Sequence, residues 1–445
     1  MSRLPELTPV AGRPSPEILL RHDSTQIDGA VNFVITGVTP GDPVEAEASA
    51  RDESGVGWRS RAVFTADVDG TVDPGRQAPV TGTYRGADPA GLFWSMRPDR
   101  KGAFFDHRIW TPVVIRLTAS AVGCPTAVRD LSLTFARPGV TRSLVSGDGL
   151  TGRLFRPGSA APAPGAILLA GSDAASLDPA AALLASHGYV VLFLPYFGVR
   201  GLPPTLQNIP VEYVSAAIDW LSRDPGVRAG GVAVIGLSRG AELALQVASL
   251  DSRVTAVVAG APSSVRQAGI GRGYSDFSQP AWLSAGRALP FVPGGFTLPG
   301  AVSLTAAWLL RRPVRQTVFF RRALRPSSTT RAAGIEVEKI RGPVLVIAGT
   351  DDGLWPSDRF AVQIMERLAE HWHPFGDRCL LYEGAGHFVC FPYALPLLPP
   401  MTTLSVSRSM SFDFGGTPRA NAAAASASWQ EILRFLGQAL VSEAG

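Results

Sequence analysis

The 445-residue chain is 46% hydrophobic and 18% charged, and its 41 basic against 37 acidic residues leave a net charge of +4. These are globular proportions, which exclude a disordered chain, and the scattered basic excess does not make a nucleic-acid footprint. Cys124, Cys379 and Cys390 are odd in number and far apart. They offer no disulfide framework or zinc motif and read as buried free thiols.

The first residues, MSRLPELTPVAGRPSPE, lack the apolar run of a signal peptide, so a cytoplasmic protein is expected. From about Pro14 to Ala136 apolar residues alternate in short runs such as VNFVITG, VEAEASARD, WRSRAVFTAD and VVIRLTASA. Turn signals (TPGDP, DESGVG, DVDGTVDPG) separate them, which predicts an antiparallel sandwich of short strands over residues 1–140. His22 and His107 have no evident partner there and read as surface or packing residues.

The texture changes over 141–445. GAILLAG, YVVLFLPYFG, VAVIG, VTAVVAGAP, PVLVIAG and CLLYEG are apolar almost throughout, as strands buried on both faces are. Between them, DPAAALLASHG, VEYVSAAIDWLSRD and AELALQVASL carry helical spacing. The alternation predicts a mostly parallel sheet in an α/β domain. It is interrupted over about 263–333 by an apolar, Pro- and Gly-rich stretch that suits a lid over the strand ends. Within it, Ala288 to Leu310 is uncharged and long enough to span a bilayer. Its prolines and glycines would leave backbone groups unpaired in lipid, so a loop plus a short helix is expected.

GVAVIGLSRGAE places G-x-S-x-G between an apolar strand and a helix. That is the setting of a nucleophile elbow, so Ser238 is the expected nucleophile and a structural turn the plainer alternative. A base and an acid should follow, each after a strand, in the order Ser, Asp/Glu, His. TDDGLWP after PVLVIAG offers Asp351 and Asp352, and AGHFV after CLLYEG offers His387. Asp352, four residues before Pro356, is the expected acid; Asp351 is the alternative, with capping of the turn as its other role. Backbone N–H groups of Arg239 and Ser172 are the expected oxyanion hole. His187 suits a helix end, while His371 and His373 in HWHPFGD read as a solvated loop rather than metal ligands.

The sequence resembles the type I acyl-CoA thioesterases and bile acid-CoA:amino acid N-acyltransferases over nearly its whole length. GDPVEAEASARDESG and ADPAGLFWSMRP carry the resemblance in the first half. HGYVVLFLPYFG, GVAVIGLSRGAELALQVAS, GTDDGLWPSD, GAGHFVCFPY and GGTPRANAAAASASWQEILRFL carry it in the second. It implies an Ig-like β-sandwich joined to an α/β-hydrolase domain, with Ser238, Asp352 and His387 as the triad. Where the family usually has a run of glycines this chain has Asp173, Ala174 and Ala175. Asp173 puts a carboxylate near developing negative charge, unless it is paired, and could serve as an acceptor-binding group.

The expected reaction is hydrolysis of an acyl thioester through an acyl-serine, with no cofactor other than CoA as part of the substrate. In the family this chain resembles, members that transfer acyl groups to amino acids typically carry cysteine at the elbow and the hydrolases serine, so the resemblance favours water as the acceptor here. The rivals are transfer to an amine, an acyl carrier protein as the thioester donor, and a non-catalytic binding protein. Arg311 and Arg312, in the arginine-rich stretch after the apolar segment, are candidate contacts to CoA phosphates. No metal, nucleic acid or membrane span is expected, and the oligomeric state is not indicated.

Overall fold

The structure is a computed structural model that describes residues 15–21, 26–272, 276–294, 298–310, 312–405 and 410–441. The chain divides into two compact units, with the main crossing between Thr134 and Phe135.

In the first unit, β1 (Glu17–Leu20) pairs antiparallel with β2 (Phe33–Thr36). A second antiparallel sheet runs through β3 (Pro43–Arg51), β4 (Gly57–Thr65), β5 (Val113–Ala121) and β6 (Ala127–Leu133), in the order β4-β3-β5-β6. Alternation is strict where it matters: Val44, Ala46 and Ala48 are buried on β3, and Trp58, Ala62 and Phe64 on β4. Asp52, at the turn between these strands, accepts from Trp58 Nε1 at 2.9 Å and from Val56 N–H at 2.9 Å. Buried carboxylates survive only with such donors.

The second unit is organised around eight strands: β7 (Thr141–Gly147), β8 (Leu150–Arg156), β9 (Ala163–Leu169), β10 (Val190–Phe193), β11 (Val227–Leu237), β12 (Val254–Gly260), β13 (Val344–Gly349) and β14 (Arg378–Tyr382). Their order across the sheet is β7-β8-β10-β9-β11-β12-β13-β14. The β7-β8 and β8-β10 pairings are antiparallel, and every later pairing is parallel. This is the strand order of an α/β-hydrolase. Strands β9 and β13 are buried at every residue, which explains why they carry no polar side chain.

Helices α1 (Asp178–Ser186), α2 (Glu212–Ser222) and α3 (Arg239–Ala248) form where helical spacing of apolar residues predicts them. Register then decides where chemistry can happen. Leu169 pairs with Gly236, Leu237 with Gly260, Gly260 with Ile347, and Gly349 with Tyr382. Five parallel strands therefore end on one line, and the loops beyond them open at one edge, the usual place for a ligand in an open α/β sheet.

The chain leaves this sheet between Gly260 and Val344. Its first part is fastened down, with Ser263, Arg266 and Gln267 all buried. Helix α4 (Leu298–Leu309) and the single turn α5 (Thr317–Phe320) follow. The uncharged stretch, as far as it lies among the described residues, is mostly loop before Leu298 and a short helix after it, and among the described residues no helix is long and apolar enough to cross a membrane. Helix α6 (Ser357–Glu370) follows β13, and the C-terminal helix α7 (Pro418–Val441) packs on β11, β12, β13 and β14.

Candidate active site

Ser238 sits between β11 and α3 with φ of 60° and ψ of −121°. A non-glycine residue there is strained, and such strain persists only when its surroundings over-determine it. The two flanking glycines provide that. A β-carbon on Gly236 would fall 2.3 Å from the Gly240 backbone, and one on Gly240 would fall 2.4 Å from the Leu169 carbonyl oxygen. Neither position tolerates a side chain, so strand, turn and helix close tightly around the serine. Ser238 N–H donates to the Gly260 carbonyl at 2.8 Å, tying the turn to the neighbouring strand. Arg239 is the first residue of α3, and its N–H belongs to the group that a helix N-terminus leaves without an intrahelical acceptor.

His387 and Asp352 meet. His387 Nδ1 lies 2.8 Å from Asp352 Oδ2, with both side chains buried. Ser357 Oγ donates to the same carboxylate oxygen at 2.6 Å, and the N–H groups of Leu354 and Trp355 donate to Oδ1. An acceptor-only carboxylate is thereby satisfied on both oxygens and aimed at the ring. Asp351 faces elsewhere: it accepts from Arg315 at 2.7 Å and from Gly416 N–H at 3.0 Å. His387 Nε2 is buried with no hydrogen-bond partner among the described residues. Trp355, Phe388 and Phe414 surround the ring, the first two edge-on. Beneath it, Asn421 of α7 accepts from Gly386 N–H at 2.7 Å.

The loop after β9 is pinned by two tyrosines, Tyr196 buried and Tyr393 partly so. Tyr196 Oη donates to the Ala170 carbonyl at 2.6 Å. Tyr393 Oη accepts the Gly171 N–H at 2.7 Å and donates to Asp173 Oδ1 at 2.5 Å. Burial first, and the Asp173 charge second, hold the Tyr393 phenol well above its ordinary pKa, so it stays a donor. Asp173, exposed at the loop's tip, is therefore paired, and Ser172 lies between it and Gly171.

A buried ionic cluster joins α3 to the excursion that follows β12. Arg239 Nη1 contacts Glu242 Oε2 at 2.8 Å, and its Nη2 donates to the carbonyls of Gln267 and Ala268. Glu242 Oε1 accepts from Trp282 Nε1 at 2.6 Å and from Gln267 N–H at 3.1 Å. Burial raises the Glu242 carboxyl above its ordinary value against the pull of Arg239 and these donors. The residue after Ser238 is thus anchored through its side chain as well as its helix.

Other sequence candidates lie apart from this arrangement. Arg312 is exposed just beyond α4, and Arg311 and His22 fall outside the described residues. His107 Nδ1 faces the Phe105 carbonyl, and His187 packs edge-on against Trp429. His373 is not a solvated loop residue: its ring is buried, with Nδ1 2.6 Å from Asp377 Oδ2 and Nε2 2.8 Å from the Ile340 carbonyl. Two acceptors placed on either side of the imidazole keep it inside. Cys390 is buried, whereas Cys124 and Cys379 are only partly so. Among the described residues no group of three His, Cys, Asp or Glu could hold a metal ion. Sequence reasoning passed over Ser357, Tyr393, Glu242 and Asn421. Only Ser357, five residues after Asp352, had a local signal.

Residues 28–147 match the family described as Acyl-CoA thioester hydrolase/BAAT N-terminal region. Residues 209–282 and 305–442 match BAAT/Acyl-CoA thioester hydrolase C terminal. Acyl-coenzyme A thioesterase 1 of Rattus norvegicus is 30% identical over 419 residues, covering 93% of this chain and 94% of that protein. Peroxisomal succinyl-coenzyme A thioesterase of Mus musculus is 29% identical over 421 residues, covering 93% and 94%. Acyl-coenzyme A amino acid N-acyltransferase 1 of Mus musculus is 31% identical over 440 residues, covering 93% and 95%.

Proposed function

The chain belongs to the acyl-CoA thioester hydrolase/BAAT family, and from that premise we propose that it hydrolyses acyl-CoA thioesters through an acyl-serine on Ser238. The observation that carries this reading is the His387–Asp352 pair, whose outer ring nitrogen is buried and has no hydrogen-bond partner among the described residues. His387 follows β14 and the strained Ser238 follows β11, at the same edge of the sheet.

In the first half-reaction His387 Nε2 takes the Ser238 hydroxyl proton as Oγ bonds to the thioester carbonyl carbon. Asp352 holds Nδ1–H, fixing the tautomer and stabilising the imidazolium that forms. The carbonyl oxygen becomes negative and is met by the N–H groups of Arg239 and Ser172. The carbon–sulfur bond breaks, and the leaving thiolate receives the proton from His387. In the second half-reaction His387 deprotonates a water as its oxygen bonds to the acyl carbon; the acyl–Oγ bond then breaks, His387 returns the proton to Ser238 Oγ, and the acid is released.

Transfer to an amine is the second reading, supported by the likeness to an N-acyltransferase and by the exposed Asp173 carboxylate. A carrier-protein thioester is compatible with the same chemistry. Mass spectrometry of the intact protein after brief exposure to acyl-CoA of several chain lengths is the test. An acyl adduct on wild type that is missing from Ser238→Ala is the expected result. An adduct of equal yield on both proteins would refute the acyl-serine.

A further inference from the structure

Helix α4 is built the wrong way round for a protein surface. Val302, Leu309 and the next residue, Leu310, are 62%, 66% and 63% exposed. Ala306 is exposed too, so positions 302, 306, 309 and 310 form one apolar stripe at helical spacing that faces outward. The covered side is the other one: Gly300 is buried, and a β-carbon there would fall 2.1 Å from the Phe319 ring of α5. A contiguous outward apolar stripe marks a surface meant to meet a non-aqueous partner.

Charge indicates which partner. Between Asp276 and Glu336 the sequence has no acidic residue, and the arginines in that interval crowd in just after the helix. Arg312, Arg321, Arg322 and Arg325 are all exposed. A short apolar helix followed by clustered arginines matches a negatively charged surface with a hydrocarbon interior beneath it. CoA phosphates share the anionic part of that chemistry but offer nothing for Val302, Leu309 and Leu310 to enter.

We propose that α4 and the arginine run after it dock this protein on an anionic lipid bilayer. The helix lies in the interface rather than crossing it, in keeping with its 12 residues. The position also has a functional sense. Phe320 of α5 stacks edge-on against Trp355, and Trp355 packs against His387. The docking element therefore sits on the same packed chain of aromatic rings as the proposed base.

The test reads binding without turnover, so it succeeds or fails independently of the hydrolase reading. Wild-type protein is sedimented with vesicles of phosphatidylglycerol and phosphatidylcholine in equal parts, and with phosphatidylcholine alone. Partitioning on the order of tenfold stronger to the anionic vesicles, weakened by salt, is expected. Leu309→Asp/Leu310→Asp should abolish it, and Arg321→Glu/Arg322→Glu should reduce it to the level seen with phosphatidylcholine. Three outcomes would overturn the proposal. They are no partitioning by wild type, undiminished partitioning by Leu309→Asp/Leu310→Asp, or displacement by free CoA, which would assign the arginines to the substrate. Light scattering that shows a dimer lost in Leu309→Asp/Leu310→Asp would instead assign the stripe to a second copy of the chain.

Discussion

Asp352 Oδ2 lies 2.8 Å from His387 Nδ1, while its neighbour Asp351 is spent on Arg315 and Gly416. The two adjacent carboxylates should therefore behave very differently when neutralised. Ser238→Ala and His387→Ala should each remove turnover by ~10⁴-fold or more, and Asp352→Asn should follow because an amide can stabilise the wrong tautomer. Asp351→Asn should leave kcat within about threefold, since it weakens an exposed ion pair with Arg315 while an amide oxygen can still accept from Gly416 N–H. Steady-state kinetics on purified variants check this, and a crippled Asp351→Asn would reverse the assignment.

Tyr393 is a positioning residue in this scheme. It holds Gly171, the residue before the expected oxyanion donor Ser172, and it pairs the Asp173 charge. Tyr393→Phe leaves a backbone N–H without its partner and a carboxylate unpaired at the loop. Such losses cost about 1–3 kcal/mol when buried, and a displaced oxyanion donor costs more in rate than in binding. The expected result is kcat lowered by roughly tenfold to a hundredfold with KM little changed. Replacing Asp173 by Asn in the same protein should recover part of it. An unchanged kcat would show that the loop keeps its shape without the phenol.

Glu242 gives a pH signature. Burial raises its carboxyl above the ordinary value of 4.5. An acid whose pKa is higher folded than unfolded adds stability that is fully present below the unfolded value and is lost as pH rises through the folded value. Glu242→Gln, neutral throughout, removes this dependence. The unfolding free energy of wild type minus that of Glu242→Gln should therefore fall as pH rises from about 4.5, as measured by urea denaturation across the range. A difference that grows with pH would mean that the Arg239 pairing outweighs burial. Glu242→Ala, which strands Arg239, should cost about 3–5 kcal/mol at neutral pH.

What was legible in the sequence is what local periodicity encodes. VAVIG and PVLVIAG read as buried strands because every residue in a covered parallel strand meets a hydrophobic neighbour. Once those strands are placed, the residues just after them must gather at one edge, which is how Ser238, Asp352 and His387 become candidates together. Long-range polar pairing leaves no such trace. Tyr393 and Asp173 are 220 positions apart, and Trp282 and Glu242 are 40 apart. His373 was misread for the same reason, since Ile340, 33 positions upstream, supplies one of its acceptors.

That correction is itself testable. His373 spans Asp377 and Ile340, and Asp377 Oδ1 also accepts the N–H of Val344, the first residue of β13. Removing the ring leaves the half-buried Asp377 with one partner fewer. His373→Ala should cost about 3 kcal/mol, seen as a lower thermal midpoint, with kcat preserved at low temperature. A ligand role would do the reverse, lowering activity at constant stability.

If Ser238 carries the acyl group as proposed, the atom at position 238 bears on which acceptor takes it. An acyl group on serine is an oxygen ester, less reactive toward amines than the thioester a cysteine would form, and its release depends on a base that activates the incoming nucleophile. His387, with Asp352 behind it and Nε2 uncommitted, is placed to activate water. Asp173 pulls the other way, because an exposed carboxylate can attract an ammonium group, although Tyr393 already occupies one of its oxygens. The two effects are separable. Acyl-CoA incubated with glycine, taurine or a simple polyamine at millimolar concentration should yield free acid as the main product, with product ratios read by mass spectrometry. Amide as the main product would make the protein a transferase. If Asp173→Gly then restored the acid, the acceptor site would lie at that loop, and if it did not, the amine would bind elsewhere.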